Sequence, residues 1–283
     1  MHIRHIFLII ALVHLATLSF AQPRKIEYKS YIPDSVAIVN LQEKEGRKKY
    51  GNELKNELSF GFRLPLQGWG IFADYGILRR SESVKRFEYD YIYDTRVFTF
   101  ELGEKIHPKE QKPSLLMGLV SPDVMYTYGK RNNFYTAKLM YNQRKLLAGK
   151  PDKNNISVHW VFGGGVSLGI QKPYYLNIAE LGEVKYHDSI RVQFLSGHVM
   201  NRSLFKGFDE MEFIPGIILK NGFHFDFARR NNRKSAFEIG GTLEYYFNDV
   251  NIMVEQKPQK LFISAYLSIQ LGRIKAPGTK KSN

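Results

Sequence analysis

From about residue 54 onward, apolar and polar side chains alternate one by one, and a period of two predicts strands. The cleanest case is 156–171, where Ile156, Val158, Trp160, Phe162, Val166, Leu168 and Ile170 share one face and Ser157, His159, Gly163, Gly165, Ser167, Gly169 and Gln171 the other. One greasy face opposite a small or polar one suits a strand with lipid outside and a polar lumen inside. The pattern recurs. Residues 54–66 set Leu58, Phe60, Phe62 and Leu64 against Glu57, Ser59, Gly61 and Arg63, and Gln67 and Gly68 form a hairpin turn. The return strand sets Trp69, Ile71, Ala73, Tyr75 and Ile77 against Gly70, Asp74 and Gly76. Further strands are predicted near 95–102, 134–141, 217–227, 236–247 and 261–271, which with 156–171 makes eight in sequence order.

Eight antiparallel strands close the smallest kind of membrane barrel, and an even count returns both ends to one side. The expected architecture is therefore all-β: an antiparallel eight-stranded transmembrane β-barrel over 54–273 with long outer loops. With a periplasmic N-terminus, the connections after strands three, five and seven are long and face outward. Those after strands four and six are shorter and face inward. The turn after strand one breaks this rule, being outward and short. The break at 172–216 reads as a structured loop, and the patch 115–120 has no assigned element. Gly163, Gly164 and Gly165 are no phosphate loop, because neither a helix nor a Lys-Ser/Thr pair follows; they let a curved strand pack against lumen side chains. A soluble lipocalin-like barrel is the rival, with apolar faces inward, but its outer faces would carry dense Lys and Glu instead of Gly, Ser and a few charges.

Composition adds an address. Met1, His2, Arg4 and His5 precede an apolar run at 6–18 and the small-x-small Ser19, Phe20, Ala21, so 1–21 reads as a cleavable signal peptide directing export to the outer membrane. Residues 22–53 read as a periplasmic lead-in and 274–283 as a basic tail. Cysteine is absent, which leaves no disulfide framework and no thiolate chemistry. The formal charge of +14 raises nucleic acid as a partner, but an exported chain with no recognition helix or zinc pattern points instead to anionic lipid headgroups. The competing explanation puts the excess in solvated turns, at Arg229, Arg230, Arg233 and Lys234, and in the tail at Lys275, Lys280 and Lys281.

Strand parity turns Glu57, Arg63, Asp74, Lys138, His159, Lys220, His224, Asp226, Glu238 and Glu244 into the lumen, where opposite charges are expected to pair because an unpaired buried charge is costly. The functional alternative makes His159 or His224 a general base and Ser157 or Ser167 a nucleophile, though no spacing enforces that geometry. In the outer loops, His107, Lys109 and Glu110 flank a rigid Pro108, too few ligands to specify a metal. Lys172, Tyr174 and Tyr175 read as interfacial anchors, the tyrosines in an aromatic belt and the lysine on headgroup phosphate. Asp209, Glu210 and Glu212 offer oxygens for a hard cation or form a solvated acidic loop. No cofactor or metal is expected.

The segments LPLQGWGIFADYG (64–76), FELGEKIHPKE (100–110), SLGIQKPYYL (167–176) and FISAYLSIQLGR (262–273) resemble those of an uncharacterised family among the small outer-membrane β-barrel proteins of Bacteroidota, broadly the OmpA, OmpX and PorT-like barrels. The resemblance implies a Gram-negative cell-envelope location and a fold, and departs from the usual pattern in ending on a basic tail and Asn283 instead of an aromatic. The leading expectation is a non-enzymatic barrel with a filled lumen, binding lipopolysaccharide or an envelope protein through its outer loops. The alternative is a membrane-embedded lipid A hydrolase or acyltransferase. Such barrels carry Ser, His and Glu on the lipid-facing surface, and the outward faces here lack that set. A small channel is disfavoured, since eight strands leave room only for side chains.

Overall fold

The structure, a computed structural model, describes residues 56–80, 93–110, 126–149, 155–196, 198–203, 205–228 and 233–275. The segments expected to be a signal peptide (1–21) and a lead-in (22–53), the patch 115–120, Arg229, Arg230, Lys280 and Lys281 lie outside these. The strands are β1 (Asn56–Pro65), β2 (Gly68–Arg80), β3 (Tyr93–Lys105), β4 (Asn132–Ala148), β5 (Ser157–Pro173), β6 (Tyr175–Ile178), β7 (Gly182–Lys185), β8 (Val199–Ser203), β9 (Glu212–Asp226), β10 (Arg233–Val250) and β11 (Gln259–Lys275), with a short helix α1 (Arg191–Ser196). β1-β11-β10-β9-β5-β4-β3-β2 form a closed antiparallel barrel of eight strands, and β7-β6-β8 form a separate small sheet. Closure is made by β1 on β11, from Asn56 opposite Lys275 to Pro65 opposite Tyr266.

The two faces of the barrel wall are inverted relative to a water-soluble protein. Phe60, Leu139 and Ile269 are 60%, 59% and 58% exposed, whereas Glu57, Asp74 and Arg63 are 1%, 1% and 2% exposed. A soluble lipocalin-like barrel would show the opposite. An apolar band that wraps the wall on all strands is far larger than the patches soluble monomers tolerate, and it matches the hydrocarbon-facing surface of a transmembrane barrel. Among the described residues no helix is long and apolar enough to cross a membrane.

At one end lie the β1–β2 turn, the end of β3, the start of β4, the end of β5, the start of β9 and the β10–β11 connection at 251–258; at the other lie the start of β1, the end of β2, the start of β3, the end of β4, the start of β5, the end of β9, the start of β10 and the end of β11. The β1–β2 turn is tight because Gly68 takes φ +138, where a Cβ would also strike the Glu104 carbonyl. The connection after β10 is shorter than expected. β10 continues to Val250 through a register shift between Tyr245 and Val250, using up residues that the lost alternation had assigned to a loop.

The loop at 172–216 is the largest gain over the sequence pattern. β5 runs on to Pro173 and β9 begins at Glu212; between them the chain builds β6, β7, β8, a 3-10 turn at 188–190 and α1. The His187 side chain caps that turn by accepting the Ser189 N–H. Strands of four or five residues are too short to display a period. Tyr174, Leu176, Ile178 and Phe194 form the core of this cap, with Tyr126, Val184, Tyr186, Val199 and Val254 packed around them. A second cluster, Phe134, Ile214, Tyr246, Val250, Ile252 and Phe262, closes the barrel mouth beneath it.

The glycine triplet acts differently from its expected role. A Cβ on Gly163 would meet the Tyr141 carbonyl and the Asn142 side chain, and one on Gly165 would overlap the Leu139 carbonyl. The close approach is chiefly to the backbone of β4, not to lumen side chains. Gly165→Val should lower stability by about 1–3 kcal/mol or prevent closure, whereas Gly241→Ala, whose Cβ would meet only the Ser264 carbonyl at 3.8 Å, should be tolerated. The urea midpoint of the heat-modifiable folded band on a gel measures both.

Candidate functional site

β4 is longer than its visible alternation, and that extension carries Arg144 into the lumen at 2% exposure. Its guanidinium reaches Glu57 Oε1 at 2.8 Å and Asp74 Oδ2 at 2.5 Å. It also donates to Gln270 Oε1 at 3.2 Å, while Gln270 Nε2 donates to Ser59 Oγ and Asp74. Thr99 donates to the other Asp74 oxygen at 2.6 Å. β1, β2, β3, β4 and β11 are thereby joined across the interior.

Toward the cap, Glu101 receives Arg63 and, at 3.0 Å, Lys138. Lys138 turns also to Glu244 at 3.0 Å, where Lys105 joins at 3.1 Å. The Arg63 guanidinium lies over the Phe72 and Tyr266 rings at 4.5 and 4.9 Å, so its faces are covered while its edges bond. Glu238 collects Lys220 at 2.7 Å, the Tyr266 hydroxyl at 2.8 Å and His224 Nδ1 at 3.3 Å. Lys234 bridges Glu57 at 3.3 Å and Asp226 at 3.1 Å. His159 faces His224 across β5 and β9 with ring centres 5.9 Å apart. It makes no ion pair among the described residues, and its Nδ1, like His224 Nε2, has no hydrogen-bond partner.

Glu57, Asp74 and Asp226 thus meet in one bonded group around Arg144 and Lys234, Arg63, Lys138, Lys220, His224, Glu238 and Glu244 meet in a second, and His159 faces His224 at the edge. Parity within the recognised strands missed Lys105 and Arg144, which lie just past the ends assigned to strands three and four. Continuing each period of two by a few residues would have found them. Glu101 lay on the inward face and was passed over. Lys234, read as a solvated turn residue, is 5% exposed inside β10. The reason is that β10 begins at Arg233, so parity turns the next side chain inward.

This geometry does not assemble a Ser–His–carboxylate relay. Ser167 bonds the Tyr246 hydroxyl at 2.9 Å, and at about 3.4 Å per residue it lies roughly 27 Å along β5 from His159. Ser157 stands opposite Asp226 in the register, and His224 is engaged by Glu238. The described outward faces bear no Ser, His and Glu grouping. Energetically the interior behaves as a closed set: each buried ion costs several kcal/mol to desolvate and is offset only by its partners.

Over the mouth, the expected anchors are placed differently. Tyr174 and Tyr175 are 4% and 8% exposed and belong to the cap instead of a lipid-facing belt. Pro173 ends β5, and the chain folds inward there. Tyr174 accepts the Thr127 N–H at 3.1 Å, and Tyr175 donates to Glu210 at 3.0 Å. Lys172 is buried, with its ammonium 3.7 Å from the centre of the Phe208 ring, so it is turned away from headgroups. His107 Nδ1 accepts the Lys109 N–H, Lys109 donates to Gln256, and Glu110 pairs with Lys130 at 2.9 Å. These bonds tie the loops into a rim. Burial, aided by Lys109 and opposed by Glu110, holds the His107 pKa below its usual value. Bonds from Lys185 and Tyr175 hold the Glu210 carboxyl below the usual range, and Glu212 accepts from Gln171. No group of three or more metal-ligand side chains occurs among the described residues.

No protein-family model and no curated protein matches this chain. Among solved structures it is similar to Ail, the attachment invasion locus protein of Yersinia pestis, in complex with the heparin analogue sucrose octasulfate: 11% identity, covering 80% of this chain and 99% of that chain, with a TM-score of 0.32. A second crystal structure of Ail matches at 9% identity with the same coverage and TM-score.

Arg144→Met leaves Asp74 without a cation and Glu57 with Lys234 alone, and should cost about 3–5 kcal/mol, read from the urea midpoint of the folded band. Adding Asp74→Asn should recover most of that loss, because the uncompensated charge, not the missing contact, is the main penalty.

Proposed function

We propose that this chain is a non-conducting outer-membrane barrel, exported by the signal peptide at 1–21, that serves as a rigid stalk presenting its cap to lipopolysaccharide or to an envelope protein. One observation carries the proposal: two groups of bonded side chains occupy the lumen, one around Arg144 and Lys234 and one reaching Lys105, and the β5–β9 connection folds into a sheet with its own core. A pore would leave such charges to line water, and an enzyme would need a convergent polar site. The cap has the build of a recognition surface. Phe205 is 89% exposed, Val192 72%, Phe208 58% and Met200 57%, so large apolar groups stand in solvent on a scaffold ordered by Tyr174 and Phe194.

Two measurements test this. In planar bilayers the purified protein should give no steady conductance steps; stable ohmic steps would sink the closed-lumen part. A photo-crosslinking residue at Phe205 should give one discrete adduct in intact envelopes, while the same group at Leu181 gives less and Leu267 on the wall gives lipid only. Equal, diffuse labelling at all three positions argues against a cap-borne partner. Lipid A from cells expressing His159→Ala or His224→Ala should have an unchanged mass spectrum.

A further inference from the structure

The net positive charge of the chain is unevenly compensated. Inside the barrel, Arg63, Lys105, Lys138, Arg144, Lys220 and Lys234 each meet a carboxylate. In the cap and rim, four exposed bases are paired, Lys185 with Glu210 at 2.9 Å, Lys206 with Glu183 at 3.0 Å, Arg191 with Glu255 at 3.8 Å and Lys260 with Asp249 at 3.7 Å, while Lys109, Arg131, Arg202 and Lys257 have no carboxylate partner among the described residues. At the opposite end the bases stand on the outward face of the wall itself. Arg96 on β3, Lys145 on β4, Arg233 on β10 and Arg273 on β11 share the parity of the lipid-facing residues on their strands and are exposed. Each occupies the last or last but one outward position at the end where β1 begins and β11 finishes. None has a carboxylate partner among the described residues; Lys145 lies only over the Phe162 ring, at 5.3 Å. Asp94, an acid at this level among the described residues, accepts the Leu146 N–H at 3.0 Å. At the cap end the corresponding outward positions hold Glu104, Asn133 and Asp249 instead.

We infer that Arg96, Lys145, Arg233 and Arg273 form a basic collar that binds the phosphates of anionic glycerophospholipids in the leaflet at the barrel end away from the cap. The chemistry fits. Arg and Lys at the edge of an apolar band extend their charged ends to headgroup level, and anionic headgroups supply the missing countercharge. This surface is separate from the cap, so it stands or falls independently of what the cap binds.

The chain's two tryptophans report on the two ends. Trp160 sits opposite Lys145 in the β4–β5 register, and Trp69 opposite Glu104 in the β2–β3 register. Trp69→Phe and Trp160→Phe each leave one reporter in the full-length protein, reconstituted in phosphatidylcholine vesicles. An equal mole fraction of lipid brominated near the headgroup is then added as phosphatidylglycerol or as phosphatidylcholine. Trp160 should be quenched about twofold more efficiently by the anionic lipid, and Trp69 equally by both. R96Q/K145Q/R233Q/R273Q should erase the preference at Trp160. If that variant does not fold, R96Q/K145Q, with Lys145 opposite the reporter, should reduce it. Equal quenching of Trp160 by both lipids, a preference that survives the substitutions, or the same preference at Trp69 would overturn the inference.

Discussion

A strand in hydrocarbon must give every backbone N–H and C=O to a neighbour, because no water is there to take them. The pairing of β1 with β11 is where that requirement is met for the whole wall, since without it two bare edges would face lipid. The register of that pair, with Phe60 opposite Leu271 and Arg63 opposite Ser268, also fixes which residues point inward. A slip of one residue would turn Glu57 and Arg63 to the acyl chains and Phe60 into the charged interior. Closure and sidedness are therefore one constraint.

The interior turns the usual logic of a core around. Where a soluble domain packs Leu and Ile, this barrel packs Arg144, Glu57, Asp74, Lys138 and Glu101, with aromatic faces from Phe72 and Tyr266 covering the Arg63 guanidinium. Apolar residues could fill the same volume, but they would not tell one face of a strand from the other in a chain whose outer face is already apolar. Charge on the inner face makes the wrong orientation prohibitive. Close to the cap the scheme changes to Phe134, Tyr246 and Phe262, and Tyr246 joins the two regimes by bonding Ser167 and Glu244.

Much of the wall was legible from sequence because parity is a local property: Phe98, Phe100 and Leu102 announce their face without knowledge of any neighbour. Partners are not local. That Glu57 meets Arg144, and that Lys234 spans Glu57 and Asp226, depends on barrel order and stagger, which no single strand encodes. Elements shorter than about two periods, such as β6 and β7, also gave no signal. Tyr174 and Tyr175 looked like a membrane belt because amphipathic rings suit both an interface and a small core. Only the course of the chain after Pro173 distinguishes the two.

The bonds of Arg144 reach β1, β2 and β11, so its partners come from both the first and the last strands of the wall. An open sheet inserted in lipid would hold that guanidinium without Gln270 beside it, and Ser59 and Asp74 would lack the amide that joins them to the closing strand. Partly assembled forms are thus penalised until the final strand arrives. The hub acts as a latch on assembly: it makes insertion and closure a single cooperative event, and it slows reopening once the ring is complete.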